Sequence, residues 1–539
     1  MTVAAAGSTS SSKGFAAGLW NRQLEHYPET GPRMTYLGIT VISTIMLYYE
    51  LYVGGSVSTL FLAKLNMSFS FLVYTLAAGA FLGALGSLFA GLADRLGRTN
   101  IVVIGLFLTA VFTTFLIPAS TDKWEFTIFG FIVGIVEGIC LVATPALIRD
   151  FSPQVGRATA MGFWTSGPVL GSLVVTLVAT HTIPTNTATF GWGHEYVICG
   201  IAGFVVFVIA ALGLKELSPQ LRDQLMVTMH DRALIEAKAK GIDIEASLKN
   251  PWGQLVKPDV LISATGISIF LLIYYTAVGF GVIFFTTVYG FNVKDANGIG
   301  NWNWAADVVA VIAFGIISDK LRVRKPFMIL GGVATAVMLV FYIFSINNGH
   351  HENYYTLVTI VALVSFFLGV AYVPWMASYT ETVEDHNPAL TATGLAIWGW
   401  IIRVVVTVAY LILPVVVHSA TPLVTYGSAG AVLGGSDRYH IAPVSPANTA
   451  VIKAELGPTA NAQITALVKH LPQVQKAVKD APGEWKNWYW ICFGGTIFFL
   501  GTVPLMRGRW SPKKAREDED AHEAMVQAEM AKLGVTEQA

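Results

Sequence analysis

"GLADRLGRTN", residues 91–100, lies between two apolar runs, each long enough to cross a membrane. It has an echo further on, "GIISDKLRVRKP" at 315–326. Both stretches set a glycine, then an aspartate, then basic residues at one turn between hydrophobic segments. The surroundings repeat as well. "TPALIRD" and "RATAMGFW" follow the fourth apolar run; "VPWMASYTE" and "LTATGLAIW" follow the tenth, so that Pro145 matches Pro374 and Gly162 matches Gly394. Parallel repeats of six helices are a mark of transporters whose two halves rock about a midplane site.

Composition agrees with a chain that lives in a bilayer. Only 13% of the 539 residues are charged and 54% are hydrophobic, with a mean hydropathy of +0.58; soluble domains carry about 25% charged residues. Twelve spanning helices are expected, over 35–57, 71–92, 100–118, 125–147, 158–180, 194–214, 260–284, 299–318, 326–346, 355–377, 390–416 and 488–507. Each is close to the roughly 20 residues a crossing needs. The expected organisation is a tail (1–34), a six-helix bundle (35–214), a linker with short helices (215–258), a second bundle (259–507) and a tail (508–539). An insertion, 418–487, separates the last two spans, and "NAQITALVKHLPQVQKAVKDAP" within it has the spacing of an amphipathic helix.

An even number of spans puts both termini on one side. With that side as the cytoplasm, 24 of the 34 lysines and arginines face it and nine face outward, six of them in the long insertion. The bias predicts a multi-pass protein of the cytoplasmic membrane with both termini inside. No secretory signal is read at the N-terminus. Zero formal net charge argues against a nucleic-acid partner. Cys140, Cys199 and Cys492 fall singly in apolar runs, and His350 and His351 are adjacent, so no metal site or disulfide framework is read. No phosphate-binding loop and no nucleophile elbow occur, so neither ATP-driven transport nor an enzyme is expected, and no cofactor. The expected partners are a small-molecule substrate, protons and the lipid bilayer, around a monomer.

Gly91-Leu-Ala-Asp94-Arg95-Leu-Gly97-Arg98 resembles the loop motif of the major facilitator superfamily in every position, and 315–326 resembles its weaker second copy. The resemblance covers 35–507 and implies an all-α membrane protein: twelve transmembrane helices in two pseudo-symmetric six-helix bundles. "LYYELYVGG" (47–55) and, more faintly, "KELSP" (215–219) are similar to stretches of metabolite:proton symporters. "GFWTSGPVLG" (162–171) loosely resembles the Gly-Pro motif of proton-coupled antiporters. The arginine often found early in the fourth helix is absent; Gly130 stands there. The resemblance implies that Asp94 faces the start of the eleventh helix, across the two halves, where a carboxylate gains about 0.3–1 kcal/mol. Arg98 would be held by Asp150, and Gly315, Asp319, Arg324 and Glu381 would repeat the arrangement.

Four charges fall inside spans: Glu50, Glu137, Asp307 and Arg403. Such residues face a bundle interior or a watery cavity and are functional candidates. Small or polar residues share their faces: Ser43, Leu47 and Gly54 with Glu50; Gly130, Gly134, Cys140 and Thr144 with Glu137; Asn303 with Asp307; and Trp400, Thr407 and Tyr410 with Arg403. The resemblance puts these helices around a central cavity. Three readings of Arg403 stand. It binds an anionic substrate through its planar fork, it pairs with a carboxylate that carries a proton, or it forms a fixed ion pair with Asp307. Arg403, Glu137, Asn303, Trp400, Tyr274 and Tyr275 are candidates for the substrate; Glu50, Glu137 and Asp307 for proton coupling. Tyr49, Tyr52, Trp302, Trp304 and Trp398 are further aromatic residues near these helices.

The expected function is alternating-access transport of a small polar metabolite, an organic anion first, in symport with protons. The alternatives are drug:proton export and, from another class, a transporter-like sensor or scaffold.

Overall fold

The structure, a computed structural model, describes residues 22–86, 97–151, 165–185, 187, 190–218, 221, 255–347, 352–386, 391–427, 449–450, 453 and 460–506. In the tail it describes 510–514, 516–517, 520–521 and 524–525. Twelve long helices follow one another: α1 Thr30–Ser56, α2 Phe69–Gly86, α3 Arg98–Leu116, α4 Lys123–Phe151, α5 Gly167–Thr182, α6 Gly193–Gly213, α7 Pro258–Tyr289, α8 Val293–Leu321, α9 Lys325–Ser345, α10 Tyr354–His386, α11 Thr391–Val416 and α12 Ala460–Thr502. Among the described residues, nine helices are long and apolar enough to cross a membrane. A tenth is α2, bent by 114° from the short helix Ser58–Lys64 before it. The described part of α5 is shorter, beginning after the stretch 152–164, which lies outside the described residues. α8 has the length, 29 residues, but carries Asn297, Asn301, Asn303 and Asp307. The chain is a multi-pass membrane protein, almost entirely helical among the described residues.

Local chemistry sets the helix ends. Gly97 (φ 93°) precedes α3 and Gly290 (φ 78°) follows α7, in backbone conformations a side chain would strain. The Asn292 side chain accepts from the Asp295 N–H at 2.8 Å, capping α8. Pro145, Pro374 and Pro414 lie inside α4, α10 and α11, which neighbouring helices make tolerable in a membrane.

In the first bundle α1 packs on α4, α5 and α6, and α3 on α4 and α6. In the second, α10 packs on α8 and α9, and α7 on α11 and α12. The bundles meet where α5 lies on α8, α2 on α11 and α1 on α7. Among the described residues, bonds that join them cluster at the end away from Gly97 and Arg322, here called the far side. Asn297 Nδ2 donates to Ser56 O (3.0 Å), Asn301 Nδ2 to Thr180 Oγ1 (3.0 Å), and Ser70 Oγ lies 3.4 Å from Thr421 Oγ1. The Phe69 ring sits 5.6 Å from that of Phe280. At the opposite end, the motif side, Arg98–Asp150, Arg324–Glu381 and His386–Asp259 each stay within one bundle.

Two features differ from expectation. The insertion helix is continuous with the last span: α12 is two helices that meet at a kink at the non-helical His470, and the second runs from Leu471 to Thr502. Pro472 comes directly after that break, in a first turn where proline costs no hydrogen bond. The helix Ala420–Tyr426 folds back onto α12, α2 and Ser58–Lys64. Glu484 fixes it there by accepting from Ser419 N (2.8 Å) and pairing with His418 Nε2 (2.9 Å), and the Tyr426 and His470 rings stack 4.0 Å apart. Most of the linker lies outside the described residues, but its start forms a two-residue parallel pair, β1 Gln23–Leu24 with β2 Glu216–Leu217. Arg22, next to it, donates to Ala210 O (3.3 Å) and Ala211 O at the end of α6.

Candidate functional site

Arg403 stands midway along α11, half-buried. Its Nη1 donates to Gly399 O at 3.3 Å, one turn back on its own helix, and among the described residues it forms no ion pair. The expected bond to Asp307 is not made. Tyr48 on α1 and Tyr275 on α7 lie within electrostatic reach of Arg403. From these two the aromatic wall continues. Tyr48 and Tyr52 rings are 5.6 Å apart; Tyr275 is 5.3 Å from Tyr274, which is 5.3 Å from Trp304 on α8. Tyr372 on α10 lies within electrostatic reach of Tyr48, Tyr275 and Asp307. Tyr52, Asn303 and Trp304 open into a cavity between the bundles, on the far side of Arg403, whose other walls include Ser172, Thr176 and Val361. Trp400 is half-buried one turn before Arg403.

The three carboxylates are closed off. Glu50, Glu137 and Asp307 are 4%, 1% and 1% exposed. Both oxygens of Glu137 and Oδ1 of Asp307 have no hydrogen-bond partner among the described residues, and Glu50 has Thr109 alone within reach. Glu50 does not line the cavity, as the resemblance had implied. The small-residue face of α1 turns inward to the glycines of α6: Glu50 Oε1 lies against Gly203, and Gly54 against the Tyr196 hydroxyl. Glu137 on α4 is in electrostatic reach of Glu50 and of Tyr48, and Cys140 and Cys199 stand beside both glutamates. Asp307 packs on Gly369 of α10, whose absent side chain makes room for Oδ1. Carboxylates buried without a counter-charge are costly to keep ionised.

At the motif side, Gly91, Asp94 and Arg95 lie outside the described residues, so the expected contact between Asp94 and α11 does too. Arg98 Nη1 donates to both oxygens of Asp150 at 2.8 Å. In the second copy Arg324 reaches Glu381 Oε1 through Nε (3.1 Å) and Nη2 (3.0 Å), and Asp319 Oδ1 through Nη1 (2.7 Å). Burial works against the Arg324 charge, but Glu381 and Asp319 hold its guanidinium above the ordinary value. Gly315 lies one helix turn before Asp319, facing Val373.

Sequence reading passed over Glu216 and Tyr48. The buried Glu216 carboxylate accepts from the backbone N–H of Arg98 at 2.7 Å and so caps α3, right at Gly97. Burial lowers the Arg22 guanidinium from its ordinary value, and Glu216 partly restores it. The signal for Glu216 was the "KELSP" stretch itself. For Tyr48 it was the spacing Tyr48–Tyr52, one helical turn on the face opposite Glu50.

The profile of the Major Facilitator Superfamily matches residues 34–409. The Proline/betaine transporter of Escherichia coli (strain K12) is 23% identical over 432 residues, 74% of this chain and 80% of that one. The Cis,cis-muconate transport protein of Acinetobacter baylyi is 22% identical over 58% of this chain and 70% of its own. The Probable anion transporter 3, chloroplastic, of Oryza sativa subsp. japonica is 24% identical over 46% of this chain, which spans half the length of that relative. Among solved structures, a bacterial homolog of the human lysosomal transporter Spinster, inward-facing and unoccupied, covers 90% of this chain and 100% of its own at 17% identity, with a TM-score of 0.59. Twelve helices, a repeated motif-side ion-pair network, far-side bonds between the bundles and a profile match over most of the length agree: the chain belongs to the Major Facilitator Superfamily, a family of transporters and not of enzymes.

Proposed function

We propose that the protein carries a small organic anion across the cytoplasmic membrane by alternating access, in symport with protons, with both termini in the cytoplasm. One observation carries the choice of an anion: Arg403 is the charge that the centre of the molecule leaves accessible, while Glu50, Glu137 and Asp307 are shut in. A zwitterion would need a carboxylate open to its cationic end. The names of two relatives, a muconate transport protein and a probable anion transporter, point the same way. The lysine and arginine bias puts the motif side in the cytoplasm, and with the far-side bonds made, this state is read as inward-open. Protons would load at the Glu50–Glu137 pair in the first bundle and at Asp307 in the second. The division at 215–258 and the monomeric state belong to the same proposal.

The test is transport by the purified protein in liposomes with an imposed pH gradient, over a panel of small organic acids, zwitterions and lipophilic cations. Acid-driven accumulation of an organic acid, lost in Arg403→Gln, is expected. Export of lipophilic cations against proton entry, unaffected by Arg403→Gln, would support the drug:proton alternative instead. A short match to the Multidrug resistance protein MdtL of Shewanella oneidensis, 32% identical over 24% of this chain, is what keeps that arm in the panel.

A further inference from the structure

We propose that protons reach Glu50 through the interior of the first bundle, entering at Glu195 on the far side and passing along the seam between α3 and α6, apart from the cavity between the bundles. This rests on the reading of Glu50 as a proton site and gives that site its entrance.

Glu50 needs an entrance of its own. On α1, Tyr52, Gly55 and Ser56 line the cavity, and neither Glu50 nor Glu137 does. Glu50 Oε1 lies instead against Gly203 of α6. A proton coming from the cavity would have to cross α1 to reach it.

The seam between α3 and α6 offers another way. Gly200 lies one turn nearer the far side than Gly203, and its bare face receives Thr114 Oγ1 of α3. Thr109, a little over one turn before Thr114, is the hydroxyl in reach of Glu50. Toward the far side α6 carries Glu195, itself buried, beside the exposed His194 and in contact with the exposed Thr182 of α5. From position 195 to 203 is about 12 Å at 1.5 Å per residue, so Glu195, Thr114, Thr109 and Glu50 form a file with short steps. Cys199 and Tyr49 stand along the same stretch, both within electrostatic reach of Glu195.

Two features set this seam apart from ordinary helix packing. Over Phe112–Leu116, the turn that carries Thr113 and Thr114, α3 winds as a π-helix; such turns are rare and gather at functional sites. The hydroxyls of Thr113, Thr114 and Tyr49 are also buried with no hydrogen-bond partner among the described residues. Buried polar atoms of this kind are met by ordered water. A file of hydroxyls and water passes protons on, each oxygen accepting one and releasing another, and chains of acidic groups inside membranes serve as such relays.

Both ends of the file suit a carboxyl that holds a proton. Thr182 Oγ1 donates to Val178 O at 2.7 Å and lies 2.5 Å from Glu195 Oε1. Thr109 Oγ1, in reach of Glu50, donates to Gly105 O at 3.0 Å. A hydroxyl has one hydrogen. With it committed to a helix carbonyl, the oxygen bonds a carboxyl only by accepting that group's own proton. The other titratable groups in reach are His194, Tyr49 and Cys199 for Glu195, and Glu137 and Cys199 for Glu50.

The experiment follows the protonation of Glu50 itself. The carboxylic-acid C=O stretch of the purified full-length protein is recorded by time-resolved infrared spectroscopy after an acid pH jump, and the band lost in Glu50→Gln is assigned to Glu50. Thr114→Val, which puts a methyl where the hydroxyl was, and Glu195→Gln are each expected to slow the rise of that band at least ten-fold. In Thr114→Val its equilibrium midpoint stays where it was. Thr114→Ser, which keeps the hydroxyl, is expected to rise at the unmodified rate, and the Val–Ser comparison stands even if Glu195→Gln fails to fold. If Thr114→Val rises at the unmodified rate, the route lies elsewhere and the proposal fails, with Glu50 still a proton site. Equal slowing in Thr114→Val and Thr114→Ser would mark a packing defect and overturn the route as well. If Glu50→Gln removes no titrating band, the reading of Glu50 as a proton site fails along with it.

Discussion

Arg403 illustrates what a lone charge among aromatic rings can and cannot be. A fixed ion pair with Asp307 would have made each partner hostage to the other, since breaking a buried pair costs about 3–5 kcal/mol. No such pair is formed, so Arg403→Gln should shift the melting temperature little, and Asp307→Asn should not rescue the lost transport. Calorimetry and uptake on the two single variants and the double variant check this; recovery in the double variant would restore the ion pair as the explanation. Lys at 403 should support only weak transport, because a point charge lacks the planar fork. Glu50 makes a second case. It is shut against Gly203, with Thr109 in reach and no counter-charge, so Glu50→Gln, which keeps shape and removes the titratable proton, should fold. We expect counterflow to persist in it while accumulation driven by a pH gradient is lost; unchanged accumulation would remove Glu50 from the proton path. Reading these roles from sequence alone had a limit of one residue. Tyr49 was noted in "LYYELYVGG" and Tyr48 was not, yet a step of one on a helix turns the side chain by about 100°. Tyr49 thus lies in electrostatic reach of Cys199 and Glu195 in the first bundle, while Tyr48 is in reach of Tyr275 and Arg403 in the second.

Among the elements, small residues decide how close two helices come. Gly331 on α9 sits where an added Cβ would lie 2.5 Å from Ala371 N and 2.7 Å from Phe367 O of α10. Backbone cannot yield as a side chain can, so Gly331→Ala should destabilise by about 1–3 kcal/mol. Gly130 on α4 has nothing within 4 Å of such a Cβ, so Gly130→Ala should be near neutral. Thermal unfolding in detergent compares the pair; equal effects would mean that α9 and α10 are not packed as described. The spans themselves were legible because crossing a bilayer takes a run of apolar residues, and a run survives as a pattern in the sequence. Glu216 was not, because its meaning depends on an N–H 118 positions away that no local periodicity reveals. The join between the insertion and the last span was not legible for a related reason: an amphipathic stretch and an apolar span carry different signals, and the sequence does not mark that one helix, from Leu471 to Thr502, passes through both.

The whole molecule is held shut at one end. Ser70 and Thr421 belong to different bundles and their hydroxyls are 3.4 Å apart, close enough for a cysteine pair to be tried there as a cross-link. Ser70→Cys with Thr421→Cys should cross-link under oxidation, stop transport, and regain it on reduction. Full transport with the bridge formed would show that the far side need not open there. At the other end, Asp94→Asn should slow transport without harming membrane insertion, as expected if that carboxylate biases the bundles toward one state; unchanged turnover in liposomes would remove it from that role.

The second part of α12, beyond its kink, gives this rocking a pointer. From Leu471 to Thr502 the rod is about 48 Å long at 1.5 Å per residue, well over the ~30 Å hydrocarbon thickness, so part of it stands clear of the lipid. A rotation of about 15°, a size seen in other bistable assemblies, would swing its outer end by ~12 Å. A fluorophore near that end, paired with one at the exposed Lys64 on the first bundle, turns a small tilt in the membrane into a large change of colour above it. Transport could then be watched one molecule at a time, with each half-cycle read as a step.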